Sequence, residues 1–343
     1  MTIYFRVDAN SKIGFGHGSR CLSLARMLHK YFTITFLHID SSSEFLNQIE
    51  TAGFSYHKLD ELELKNQVQE INKLVKPNDV IVVDGYQYDT AYLSGIICKC
   101  AYIDDVNDKV LPVDLIINHN VYAPLEKYQC KNSTILALGS EYSLLNPIYL
   151  NAATQKSNEI NKLEKILVCM GGADKENSAL EVLKILKNSF PNLSISVVCP
   201  NQKNLKQIES FSKDKEGIEL LATVSNEKML NLMQSNHLMI CPASVMVLEA
   251  CAAGIPLYLG IIADNQIKNA KYLKDQGIGI YCEWFNKLNN ETLSNSIQGL
   301  IDDPNALNII VKRQASIIDN KTEQRIIDLF NRLTISDQVS TDT

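Results

Sequence analysis

Gly14, Gly16, His17 and Arg20 lie close together directly after an apolar run, Ile3–Val7, that closes on Asp8. A glycine turn between a strand and a helix gathers backbone N–H groups with no partner inside the helix and carries about half a positive charge. A phosphorylated ligand suits such a junction. The histidine suggests other chemistry, because a helix N-terminus disfavours a protonated imidazole and a neutral imidazole is what a general base needs. His17 is then placed to take a proton from water or from a substrate hydroxyl. The plainer reading is that it closes the helix start and does no chemistry. A dinucleotide fingerprint is the obvious rival, since Asp40 stands at about the spacing of a ribose ligand. Position 19, however, is Ser rather than a third glycine, and a histidine stands where a pyrophosphate would approach bare backbone.

Three further constellations lie in the second half. Ser244 precedes an apolar helical run that contains Glu249. A helix start there offers N–H groups to a diphosphate, and a carboxylate one and a half turns in can accept both hydroxyls of a ribose. Alternatively, Ser244 only caps the helix and Glu249 is solvated. Gly171-Gly172-Ala-Asp174 allows close backbone approach to a ligand, or is an ordinary strand-to-helix turn. Asp264-Asn265-Gln266 places short polar side chains at a helix start, where they suit sugar hydroxyls. In the first half, Asp84-Gly85-Tyr86, Asp104-Asp105 and Asn118 form a polar rim from which one or two carboxylates are available to orient His17.

These residues are spaced by short apolar strands alternating with amphipathic helices. Strands are expected at Ile3–Asp8, Thr33–Ile39, Asp79–Val83, Ala101–Ile103 and Leu115–Ile117. Helices are expected after His17, over Ser41–Gly53 with a capping box at Ser41-Ser-Ser-Glu44, and over Glu63–Leu74. Apolar strands separated by helices imply a parallel sheet buried on both faces, with ligands at its carboxyl edge. The pattern dissolves over residues 151–158, an expected linker, and restarts with strands at Lys165–Met170, Leu193–Cys199, Ile218–Leu221, His237–Cys241 and Pro256–Leu259. The resulting organisation is an α/β protein: residues 1–150 carry the histidine loop, 159–321 form a second Rossmann-like domain, 322–335 a last helix and 336–343 a polar tail.

With 343 residues, 45% of them hydrophobic and 21% charged, the chain fits two soluble globular domains. A net charge of −6 argues against a broad nucleic-acid surface. The first residues resemble neither a secretory signal nor a membrane span, so the cytoplasm is the expected location. Nine scattered cysteines without a CxxC pair read as buried, reduced thiols rather than a zinc site.

Taken together the motifs resemble the pseudaminic-acid-pathway hydrolases that cleave UDP-2,4-diacetamido-2,4,6-trideoxy-β-L-altropyranose, relatives of the lipid II-forming GlcNAc transferases. The resemblance covers about residues 3–280: Arg6-Val-Asp8, Ile13-Gly-x-Gly-His17-x-x-Arg20, Val83-Asp84-x-Tyr86, Ile103-Asp-Asp105, Met170-Gly-Gly172-x-Asp174, Ala243-Ser244 with Glu249, Gly254-Ile-Pro256 and Asn265-Gln266. It implies two Rossmann-like domains of the GT-B type with a cleft between them, and inverting attack of water on the anomeric carbon without cofactor or metal. His17 would activate that water with Tyr86 near the sugar. Arg6, Asp8, Gly14, Gly16, Arg20, Gly171, Gly172, Ser244, Glu249, Asn265 and Gln266 would bind the UDP-sugar. A monomer with no membrane partner is expected. Gly18-Ser19 departs from the bulkier apolar residues the pattern leads one to expect. A glycosyltransferase using the same groups is the alternative activity.

Overall fold

The computed structural model describes residues 1–10, 12–154, 159–171, 174 and 176–335. Two compact units emerge: Met1–Pro147 together with the helix Thr322–Ile335, and Ile148–Asn320. Gly172, residues 155–158 of the expected linker and the expected tail lie outside the described residues.

The first unit is built on seven parallel strands: β1 (Thr2–Arg6), β2 (Thr33–His38), β3 (Ser55–Lys58), β4 (Val80–Asp84), β5 (Lys99–Ile103), β6 (Leu115–Asn118) and β7 (Ile135–Leu138). Their order is β3-β2-β1-β4-β5-β6-β7, so the direction of winding reverses between β1 and β4. Val80–Val83 are wholly buried and Asp84 is 1% exposed, as expected of a central strand covered on both faces. Arg6 pairs with Val83 in register, which places the loop after β1 beside the end of β4. The helix Gly16–Leu28 leaves that loop, and the C-terminal helix Thr322–Ile335 packs against it.

Two strands have no counterpart among the sequence expectations for this unit. β3 is an edge strand of wholly exposed polar and aromatic residues, without the apolar run that marks the others. β7 is short and only half-buried. The expected capping box also differs: Ser42 caps the helix Ser43–Thr51 by accepting from Phe45 N, while Ser41 Oγ accepts from Ala9 N.

The second unit repeats the plan with β8 (Lys165–Cys169), β9 (Ser194–Val198), β10 (Ile218–Leu221), β11 (Leu238–Pro242), β12 (Leu257–Ile261) and β13 (Gly279–Trp284), all parallel, in the order β10-β9-β8-β11-β12-β13. Its reversal point lies between β8 and β11, again at the start of two loop-to-helix turns. The core joins Ile166, Val168, Val197 and Ile240 of the strands to Val182, Leu183 and Ile297 of the covering helices. Both units are therefore Rossmann-like. The eight cysteines whose side chains are described are free thiols, and all but Cys130 are buried.

Candidate functional site

The loop from Asp8 to Gly16 is shaped by one side chain. Asn10 Oδ1 accepts from the N–H groups of Lys12 and Ile13, and Asn10 Nδ2 donates to Asp40 O at 2.6 Å. Gly14 N returns to Asn10 O, with Gly14 at φ +97°, a conformation that strains any residue with a Cβ. The turn delivers His17 into the first turn of the helix, whose start has no side-chain cap and no acidic residue.

His17 is largely buried, and its Nδ1 lies 2.7 Å from Asp84 Oδ1. Arg20, one turn further along, donates through Nε to Asp84 Oδ2 and through Nη2 to Asp84 Oδ1, each at 2.6 Å. Its Nη1 reaches Asp105 Oδ2 at 3.0 Å. Burial alone would raise the Asp84 carboxyl, but the Arg20 guanidinium and the bonds from Arg20 and His17 outweigh it and hold Asp84 well below the usual carboxylate range. An ionised Asp84 can only accept, so the hydrogen of a neutral His17 sits on Nδ1 and its lone pair on Nε2. Nε2 has no hydrogen-bond partner among the described residues.

Tyr86 completes the group. Its ring stands edge-on to the His17 ring, centroids 4.8 Å apart at 81°, and its Oη donates to Asp105 Oδ2 at 3.1 Å. Burial of the hydroxyl and the neighbouring Asp105 raise the Tyr86 pKa, so the phenol stays protonated. Tyr86 is 53% exposed, and the apolar side chains Ile13 and Phe15 of the histidine loop are exposed as well. Asp104 faces away from His17: its Oδ2 accepts from Tyr128 Oη and from Asn107 N, and burial raises its pKa. Asn118 binds Tyr128 and Asn120.

Of the residues expected in the first domain, the structure thus brings together His17, Arg20 and Tyr86 and adds Asp84 and Asp105 from the polar rim. It does not bring Arg6 and Asp8 to them. Arg6 is 1% exposed and spends its guanidinium on Asp8 Oδ2 at 2.7 Å and on Gln67, while Asp8 Oδ1 accepts from Ile39 N and Asp40 N. These two charges cross-link β1 to the end of β2 and are buried apart from the His17 group, where the sequence led one to expect them at the substrate. Gly14 shapes the loop through its positive φ, and open space surrounds the Cα atoms of Gly14 and Gly16.

The second unit separates its two loop-to-helix turns. After β8, Gly171 adopts φ +71° and leads to Asp174, whose Oδ1 and Oδ2 accept from Ser178 N and Ala179 N. Asp174 thereby occupies the start of the helix Ser178–Ser189, and its own carbonyl is held by Asn204 Nδ2. After β11 the arrangement is the opposite. The helix Met246–Ala253 has no side-chain cap, and Val245 rather than Ser244 sits at the cap position. Ser244 instead forms a tight turn, its N–H on Pro242 O and its carbonyl accepting from Val247 N. Glu249, in the first turn, has no hydrogen-bond or ionic partner among the described residues, and burial pushes its carboxyl up to about 7. Asn269 Nδ2 ties the turn down at Ala243 O. Gln266 is turned inward, its Oε1 accepting from Ile262 N, whereas Asn265 is exposed beside it.

Sequence reasoning missed one neighbour of the first group. His119, directly after Asn118, is buried with Nδ1 accepting from Leu144 N. Burial and then the Arg20 charge lower its pKa to about 4, so it is a neutral Nε2–H tautomer.

A family model described as "Glycosyltransferase family 28 C-terminal domain" matches residues 165–328. The chain is 26% identical to the UDP-2,4-diacetamido-2,4,6-trideoxy-beta-L-altropyranose hydrolase of Campylobacter jejuni over 81% of its own length and 97% of that protein's. It is 27% identical to an uncharacterised protein of Methanocaldococcus jannaschii over 79% of its length, but spans only 57% of that relative. Among solved structures, Acinetobacter baumannii MurG superposes with a TM-score of 0.68 at 15% identity, covering 96% of this chain and 99% of that one. These likenesses bear out the resemblance carried by the motifs: over most of its length the chain is similar to that hydrolase, and its two Rossmann-like domains are of the GT-B type.

Proposed function

We propose that this chain hydrolyses a UDP-linked 2,4-diacetamido-2,4,6-trideoxyhexose to the free sugar and UDP, supplying nonulosonate (pseudaminic acid) synthesis in the cytoplasm. The observation that carries the proposal is the Asp84–His17 pair. A carboxylate that is locked ionised fixes the Nδ1–H tautomer, and Nε2 is left as the proton acceptor. Water gives its proton to Nε2 as its oxygen bonds to the anomeric carbon. The bond from that carbon to the β-phosphate oxygen breaks with inversion, UDP leaves as an anion, and the proton passes from His17 to solvent. UDP is a good leaving group, so no strong general acid is required.

The second domain supplies the nucleotide groups. Asp174 fills the first helix start with a carboxylate, whereas no side chain caps the start of Met246–Ala253; Val247 N and Leu248 N bond within its own first turn, which leaves the N–H groups of Val245 and Met246 for a diphosphate and Glu249 for the ribose hydroxyls. The name carried by the Campylobacter jejuni relative favours the same sugar nucleotide. No helix among the described residues is long and apolar enough to cross a membrane.

A second reading, transfer of the sugar to an acceptor hydroxyl, is favoured by the match to the glycosyltransferase family 28 C-terminal domain. The same base would serve it. Incubating the purified chain with a panel of UDP-sugars and no acceptor separates the two: UDP release supports hydrolysis, turnover only with an added acceptor supports transfer, and binding without either makes His17 structural.

A further inference from the structure

Tyr86 is gripped at both ends by a single loop. Asp105 takes its hydroxyl, and from the same loop Lys109 Nζ donates to Tyr86 O at 3.3 Å and to Tyr88 O at 2.9 Å. The ammonium also lies over the Tyr102 ring, 5.3 Å from its centroid, and Tyr102 Oη donates to Gly85 O at 2.8 Å. Three carbonyls of the turn after β4, those of Gly85, Tyr86 and Tyr88, are therefore pinned by two side chains that also touch each other.

The loop that does the pinning is itself fixed. Asp104 Oδ2 accepts from Asn107 N, and Asn107 adopts φ +57°, which turns the chain back. Asn107 Nδ2 is held by Glu126 Oε2, and Val110 O accepts from Thr90 Oγ1. The gripped turn, by contrast, depends on a glycine. Gly85 sits at φ +152°, and a Cβ there would lie 2.8 Å from the Tyr88 ring. A turn carrying a half-exposed aromatic over a proton acceptor needs such external restraint, because the exposed Tyr86 ring has little packing of its own to hold it.

We propose that Lys109 is a positioning residue: it holds the backbone of Tyr86 so that the ring stays edge-on to His17. The idea rests on the reading in which Tyr86 lies beside the sugar. An ammonium is suited to this task because its three donors reach two carbonyls while its charge lies over Tyr102. Misplacing a group near the reacting centre by about 1 Å can cost up to roughly 10²-fold in rate, so removing one of two restraints should cost a recognisable fraction of that.

The experiment is a double-mutant cycle with a readout independent of turnover. Lys109→Met removes the donors but keeps the unbranched apolar stem, Lys109→Arg restores donors, and each is made with Tyr86 intact and in Tyr86→Ala. In the Tyr86 background, Lys109→Met should lower kcat/KM for UDP-sugar hydrolysis about 10-fold and leave UDP affinity unchanged, with Lys109→Arg recovering part of the loss. In the Tyr86→Ala background it should have no further effect. The His17 ring-proton NMR shifts should move in Lys109→Met toward those of Tyr86→Ala, as the edge-on ring leaves. Equal losses in both backgrounds, or unchanged His17 shifts in Lys109→Met, would overturn the role. Moved shifts with no change in rate would leave the geometry standing and remove Tyr86 from the chemistry.

Discussion

Asp84 Oδ1 receives hydrogen bonds from two residues of one helix turn, His17 Nδ1 at 2.7 Å and Arg20 Nη2 at 2.6 Å. The two donors are themselves 3.1 Å apart, so the carboxylate both orders the imidazole and neutralises the guanidinium. Asp84→Asn should therefore lose two things together. Without a carboxylate the tautomer is no longer fixed, and UDP release should slow by about 10²- to 10⁴-fold with UDP affinity unchanged. The partly uncompensated buried Arg20 should cost on the order of 3 kcal/mol, read as a lower Tm.

The same pair sets an acid limit on stability. The folded-state pKa of Asp84 lies below its unfolded value of about 3.9, so its contribution is present above that pH and is lost as pH falls through the folded value. Denaturation midpoints followed from pH 5 down to pH 2 should decline below about pH 4 in the wild type, and more shallowly in Asp84→Asn. Parallel profiles would show that the carboxylate gains nothing from Arg20.

Glu249 predicts the opposite sign. Burial raises its folded-state pKa to about 7, above the unfolded value of about 4.3, so stability is lost as pH rises through that window. Glu249→Gln should raise the Tm at pH 8. If ribose hydroxyls bond the carboxylate, UDP binding must deprotonate it, and affinity should fall toward tenfold per pH unit below about 7. Calorimetry at pH 6, 7 and 8 should show this slope in the wild type and a weaker, flat affinity in Glu249→Gln. A flat wild-type profile would remove Glu249 from the ribose.

Asp174→Ala tests the division of the two helix starts. Losing the carboxylate that accepts from Ser178 N and Ala179 N should cost about 1–2 kcal/mol in urea unfolding without weakening UDP. Weakened UDP binding would mean that the nucleotide uses this turn as well.

Gly18 stands where the His17 helix meets the loop after β1. A Cβ at this position would lie 2.7 Å from Ala9 Cβ and 2.6 Å from the Phe45 ring, so the His17 helix sits against the loop after β1 only because position 18 has no side chain. Gly18→Ala should destabilise the first domain by about 1–3 kcal/mol and slow UDP release by displacing His17. A normal Tm and normal turnover would show that Phe45 simply moves aside.

How much of this was legible in the sequence depended on the range of the interaction. The strand, glycine turn and histidine are local and readable, as are both rounds of strand and helix. The partner of His17 is not local: Asp84, Asp104 and Asp105 all end apolar runs, and the choice is made by strand order, which sets β4 rather than β5 beside β1. Arg6 and Asp8 look exposed on composition, yet alternate residues at the end of a central strand can pair inward, as these do. Ser244 has the residue type of a cap but stands one position too early. Lys109 carries no motif at all, because its partners are carbonyls.

The most direct test of His17 as the base of a hydrolysis at carbon is turnover in ¹⁸O-water, comparing wild type with His17→Asn. A base acting on water at the anomeric carbon predicts label in the free sugar, none in UDP, and a loss of roughly 10²-fold or more in His17→Asn with UDP binding retained. Label in the UDP, or normal turnover in His17→Asn, would contradict it.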